Sequence, residues 1–204
     1  AVGGNYFFEI AKIRALKLIL NQFSKEFNLD EVPYIFAETT LRNKSKNDAE
    51  NNLIRSTLEI SAAMIGGADA VFSNDYKLGN SDSVAQEISF KQQIVLAYES
   101  IINVFNDAGN GSYYVEDLTQ QFAVKSWKLF VEMEEGGGYV ELLKSGWIQQ
   151  KIYDQAIKEQ NWVEEVKMKI IGVNLYPKLE KTKSAEDLYS SNEIRAVRLA
   201  EMFE

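Results

Sequence analysis

The 204-residue sequence contains no cysteine and no histidine. Without thiols these residues can form no disulfide, zinc thiolate site, iron–sulfur cluster or cysteine nucleophile. Without imidazole they offer no Ser-His-Asp triad, no histidine base and no histidine ligand to a metal or to cobalt. Proline is scarce, with two residues, and basic side chains are the minority: 22 Lys and Arg against 30 Asp and Glu leave a formal charge of -8. That balance argues against a general binder of phosphate backbones, so nucleic acid is not expected as a partner. No apolar run approaches the ~20 residues that a membrane-spanning helix needs. The opening "AVGGNYFFEIAK" lacks the basic start and apolar stretch of a signal peptide, so a cytoplasmic protein away from membranes is expected.

What is present is enough hydrophobic sequence, 46% of residues, for a sizeable core. The sequence enters an amphipathic pattern almost at once without an initiator methionine, and is expected to continue a longer polypeptide. Phe7, Ile10, Ile13, Leu16, Leu20, Phe23 and Phe27 recur at three- and four-residue spacing, which predicts a helix. "EVPYIFAETT" places Pro33 ahead of an extended run, as a strand start allows. "NDAENNLIRSTLEISAAMIGG" predicts a second helix, with Leu53, Thr57, Ile60 and Met64 on one face and Gly66-Gly67 as its left-handed stop. "ADAVFSN" reads as another strand. A third helix follows, with a capping-box pattern at Ser83 and Gln86 and an apolar face of Val84, Ile88, Val95, Tyr98, Ile102 and Phe105. Beyond it come a helix carrying Leu118, Phe122, Leu129 and Met133, ended by the glycines at 136 to 138, then a short helix and one from Trp147 to Lys167. "MKIIGVN" reads as a strand.

Helix, strand, helix, strand and helix with short joints is the grammar of βαβ units in an α/β fold. Three strands among six or seven helices fall short of the eight of a closed barrel. The chain is therefore either a small open sheet or the last part of a barrel.

Residues at the carboxyl ends of parallel strands are the natural ligand-facing candidates. Here these are Glu38, Thr39 and Thr40 after the first strand, and Ser73, Asn74 and Asp75 after the second. None is a strong nucleophile or proton shuttle, so polar lining is favoured over catalysis. "NDAGNGS" is readable as an anion-binding nest or as a loop needing positive φ at Gly109 and Gly111. The acidic pairs Glu116-Asp117, Glu134-Glu135 and Glu164-Glu165 read as solvated helix faces, because sequence neighbours on a helix point about 100° apart. Trp127, Trp147 and Trp162 read as packing residues.

Five ordered blocks carry a family resemblance: "NYFFEIAKIRAL", "AETTLRNKSKNDAENNLIRSTLEISAAMIGGADAV", "DAGNGSYYVEDLTQQFAVKSWKLF", "EMEEGGGYVELLKSGWIQQKI" and "IIGVN". Together they resemble the methylmalonyl-CoA mutase family over nearly the whole sequence. The resemblance implies the C-terminal part of a (β/α)8 TIM-type barrel with extra helices. It assigns residues 1–176 to the later part of the substrate-binding barrel and 177–204 to a peripheral, helical tail. In that family the barrel threads an acyl-CoA, and adenosylcobalamin is held by a separate domain whose Asp-x-His-x-x-Gly motif has no counterpart here. The reaction interconverts methylmalonyl-CoA and succinyl-CoA.

Departures from the pattern fall at the chemistry. Where catalytic chains have His-Thr-Asn, this sequence has Phe72, Ser73 and Asn74. Their Gln-Thr-Ser-Gly-Trp-Ser becomes Glu38 to Asn43, a substrate-binding arginine aligns with Tyr34, and two arginines are lost between Glu87 and Gln93. These changes resemble the small, non-catalytic subunit of heterodimeric mutases. The resemblance thus implies a large catalytic subunit as partner, with adenosylcobalamin held there and no cofactor or metal held here. Glu38, Thr40, Ser73 and Asn74 become candidate substrate-facing residues without catalytic duty. A catalytically competent acyl-CoA mutase chain seen in part, and a non-catalytic acyl-CoA-binding module, are the alternatives.

Overall fold

A computed structural model describes residues 1–204 except 32, 80, 81, 103, 178 and 179. The chain divides into two compact units: residues 1–40, 53–76 and 81–129 form the first, and 41–52, 77–80 and 130–204 the second.

The first unit is built on a parallel strand pair. Helix α1 (Tyr6–Glu26) leads to β1 (Phe36–Glu38), α2 (Ala49–Gly66) crosses over, and β2 (Ala70–Phe72) pairs with β1 in the register Phe36 to Ala70, Ala37 to Val71 and Glu38 to Phe72. Parallel neighbours require such a crossover. Val2 bridges the other side of β1: its N–H donates to the Glu38 carbonyl at 2.7 Å and its carbonyl accepts from Thr40 N–H at 2.9 Å. Val2, Ile10, Ile13, Ile35, Ala37, Ala62, Ala63 and Val115 form the core between the sheet and its helices.

The two glycines that end α2 have different reasons. A Cβ on Gly66 would stand 3.0 Å from Ile13 Cβ and 3.2 Å from the Ile10 carbonyl oxygen, so its bare backbone lets α2 approach α1. Gly67 has φ +84. Its N–H donates to the Met64 carbonyl and Ala68 N–H to the Ala63 carbonyl, both at 3.0 Å, which is the Schellman arrangement.

Several sequence expectations are corrected in this unit. The cap of α3 (Ser83–Ile94) is Asp82, whose carboxylate accepts from Ala85 N–H at 2.8 Å, in place of the Ser83 and Gln86 box. The helix widens into a π-turn, Val95–Glu99, and stops before Ile101, whose φ is +52. Its buried side is Ala85, Ser89 and Leu96, whereas Val84, Val95, Tyr98 and Phe105 of the predicted apolar face are exposed. On α1, too, Ile10 and Ile13 are buried while Phe7, Leu16 and Phe27 are exposed. Helix α4 (Tyr113–Glu135) packs an aromatic seam against α1 within this unit, Phe7 on Tyr114, Phe8 on Phe122 and Phe23 on Trp127.

In the second unit, α5 (Gly138–Lys144), α6 (Trp147–Glu164), α7 (Ala185–Leu188) and a 3-10 turn, Leu199–Phe203, surround two small cores. "MKIIGVN" is no strand. The Asn174 carboxamide accepts from Ile170 N–H at 2.7 Å and donates to the carbonyls of Val163 and Met168 at 2.6 Å, curling the segment onto the end of α6. Among the described residues of the 177–204 segment only 185–188 is α-helical, and Ala185, Leu188, Val197, Leu199, Ala200 and Met202 are buried.

Candidate functional site

The carboxyl ends of β1 and β2 carry the ligand-facing candidates, and three of the four named as substrate-facing, Glu38, Ser73 and Asn74, are joined in one network. Parallel pairing sets Glu38 beside Phe72, so the residues that follow each strand meet. Asn74 Nδ2 donates to Glu38 Oε1 at 2.8 Å and to the Thr39 carbonyl at 2.7 Å. Asn74 N–H donates to Thr39 Oγ1 at 2.9 Å, and Thr39 N–H to the Phe72 carbonyl at 3.0 Å. Both amide hydrogens of Asn74 are thus committed to protein acceptors. Ser73 Oγ is shared between the Asn74 carbonyl at 3.3 Å and Gln92 Oε1 at 3.4 Å. Thr40 is placed through its backbone bond to Val2, half-buried beyond the strand end.

Gln92 and Thr57 belong to this network but were not legible as site residues. Gln92 Nε2 donates to Thr57 Oγ1 and to the Leu53 carbonyl, both at 2.7 Å, linking α3 to α2 across more than thirty residues of sequence. A glutamine in a helix carries no local signal for such a partner.

Beside the end of β2 lies a cleft of about 380 Å³ lined by Phe72, Ser73, Asp75, Gln86, Ser89, Phe90 and Gln93. Phe72, at the position where the resemblance expects the histidine, is 48% exposed, and Tyr34, at the arginine position, is 69% exposed. Elsewhere in this unit the "NDAGNGS" loop serves its own carboxylates. Gly109 N–H donates to Asp107 and Gly111 N–H to Glu116, and Arg14 pairs with both acids. Only Gly111 has positive φ, at +78, so the expectation at Gly109 is not met. Among the described residues no cluster of three or more His, Cys, Asp or Glu is placed to hold a metal ion.

The second unit contains the "LRNKS" loop that follows Thr40 in sequence. Arg42 Nε and Nη2 donate to Glu159 Oε2 at 3.0 and 2.8 Å, and Nη1 donates to Tyr189 OH at 2.9 Å and to the Val197 carbonyl at 2.8 Å. Burial pushes the Tyr189 phenol above its ordinary value, with the Arg42 guanidinium pulling the other way. Glu204 accepts from Ser45 Oγ at 3.1 Å, Lys46 N–H at 2.7 Å and Arg198 Nη2 at 2.7 Å. Burial opposes its charge, but the Arg198 guanidinium and these hydrogen bonds outweigh it and hold the carboxyl below the usual range. Here the departures from the catalytic pattern do structural work: Arg42 ties its own loop to α6 and to the 189–199 segment.

These features define an α/β chain whose strand-end polar groups bond mainly to one another. The profile described as "Methylmalonyl-CoA mutase" matches residues 1–204, and the chain belongs to the methylmalonyl-CoA mutase family. It is 30% identical to the methylmalonyl-CoA mutase of Rhizobium meliloti (strain 1021) over 99% of this chain and 29% of that protein. From Porphyromonas gingivalis (strain ATCC BAA-308 / W83), the methylmalonyl-CoA mutase small subunit is 31% identical over 86% of this chain and 30% of its own length. The large subunit from the same organism is 29% identical over 86% of this chain and 26% of its own length. The chain therefore spans less than a third of the length of these relatives.

Proposed function

We propose that this chain supplies the later part of the (β/α)8 substrate barrel in the small, non-catalytic subunit of a cytoplasmic methylmalonyl-CoA mutase, and that a large catalytic subunit performs the isomerisation. One observation carries the reading. Phe72 stands where the resemblance places the active-site histidine, and the adjoining Asn74 amide has both hydrogens bound to Glu38 and Thr39. A phenyl ring cannot donate or accept the proton that an imidazole can. Glu38, Thr40, Ser73 and Asn74 then form a polar wall without chemistry of their own. Three parallel segments in the order Val2, β1, β2 support the barrel grammar.

Adenosylcobalamin would supply the radical chemistry when bound, and in this reading it belongs to the partner. A sequence with no histidine offers cobalt no imidazole, which supports placing the domain that holds the cofactor on the partner. Relatives named as small and large subunits of one organism's mutase support the two-chain arrangement.

Native mass measurement after co-expression with a large mutase subunit tests the pairing. A stable heterodimer is expected. A chain that remains alone, or pairs only with itself, contradicts it.

A further inference from the structure

We propose that Asn110 is a self-modification site: its side-chain amide is attacked by the backbone nitrogen of Gly111, and an aspartyl or isoaspartyl residue is left at position 110. The inference is independent of the subunit assignment, because it rests on one loop of the first unit.

Asn110-Gly111 is the only Asn-Gly pair in the sequence. With no side chain on the residue that follows, the attacking nitrogen is unshielded. The fold keeps that opening. Asn110 and Gly111 are both exposed, and a Cβ on Gly111 would meet no atom within 4 Å, so a five-membered ring has room to form. No described residue hydrogen-bonds the Asn110 side chain. Other backbone groups hold the turn: Asn110 N–H donates to the Asp107 carbonyl at 3.3 Å, and Ser112 N–H to the Gly109 carbonyl at 3.2 Å. The Gly111 N–H itself makes only a long, exposed bond of 3.3 Å to Glu116, which water can replace.

Two other asparagines of this chain provide the contrast. Asn74 and Asn174 each commit both amide hydrogens to protein acceptors. Each is also followed by a residue that carries a side chain, Asp75 and Leu175.

The chemistry needs only water. The Gly111 nitrogen forms a bond to Asn110 Cγ, the Cγ–Nδ2 bond breaks, and Nδ2 departs as ammonia with the proton that the backbone nitrogen gives up. The ring left behind is a succinimide, and water adds to one of its two carbonyls and opens it. Opening on one side restores the backbone with an aspartyl side chain; opening on the other routes the backbone through the side-chain carbon as isoaspartate. Either product adds one negative charge to the formal -8. That charge falls between Asp107 and Glu116, the two acids paired with Arg14.

The full chain is incubated at neutral pH beside a free peptide of residues 107–116. Conversion is followed by peptide mass mapping and by an isoaspartyl methyltransferase, which labels only the rearranged product. Asn110 in the chain is expected to convert within about tenfold of the peptide's rate, with isoaspartate among the products and with Asn74 and Asn174 slower. Conversion in the chain more than about tenfold slower than in the peptide, aspartate as the sole product, or Asn74 or Asn174 converting as fast as Asn110 would each overturn the proposal.

Discussion

Arg42 shows how a single side chain can organise a loop. Its fork reaches a carboxylate, a phenol and a carbonyl at once, a geometry that the point charge of lysine cannot reproduce. Arg42→Met should lower stability by about 2–3 kcal/mol, the worth of charged hydrogen bonds left unmade, read by urea unfolding; Arg42→Lys should recover only part of it. The same change should move Tyr189. Burial already raises its phenol and Arg42 opposes the rise, so removing the guanidinium should push the titration higher still in an ultraviolet pH scan. A raised folded-state value means that the phenol's contribution is full below the unfolded value of 10.0 and is lost as pH climbs through the folded one.

Glu204 has the opposite sign. Its folded value lies below the ordinary 4.5, so its contribution is full above that pH and disappears as pH falls through the folded value. Arg198, the Lys46 N–H and the Ser45 hydroxyl are the groups it faces, and Lys183 bonds its carbonyl. The melting-temperature gap between the unaltered chain and Glu204→Gln should be open at neutral pH and close on acidification. A gap that is independent of pH would contradict the assignment.

At the scale of elements, the glycines ending α2 give separable outcomes. Gly66→Ala places a methyl against Ile13 and the α1 backbone and should cost about 1–3 kcal/mol, as overpacking does. Gly67→Ala meets only the flexible end of Lys17, so its cost should be the left-handed backbone penalty of about 1–2 kcal/mol. Urea unfolding of the two variants checks both values. This stop was legible in the sequence because the Gly-Gly punctuation is local, and so were β1 and β2.

What failed to be legible depended on partners. The cap of α3 moved from Ser83 to Asp82: two adjacent residues both qualify, and it is the Asp82 carboxylate that takes the Ala85 N–H. The apolar stripe of α3 was read correctly as apolar, but periodicity cannot say whether the same chain covers it. Val84, Val95 and Tyr98 show that it does not. "MKIIGVN" has strand composition, yet Asn174 gathers its backbone groups into a turn. At the candidate site, Glu38, Ser73 and Asn74 were found from their place at strand ends, whereas Gln92 and Thr57 came together only through the fold.

For the whole molecule, many large apolar side chains face solvent, including Tyr34, Phe90, Phe105 and Tyr113. No described helix is long and apolar enough to cross a membrane. If the rest of a mutase assembly covers these residues, the chain alone should bind a hydrophobic dye such as anilinonaphthalene sulfonate, and the fluorescence should fall when the large subunit is added.

The most direct test of the proposed role is turnover. The full-length chain, supplied with adenosylcobalamin and methylmalonyl-CoA, is assayed for succinyl-CoA with and without the large catalytic subunit. The account predicts no product from this chain alone and turnover once the large subunit is present. Cobalamin-dependent turnover by this chain alone would contradict it.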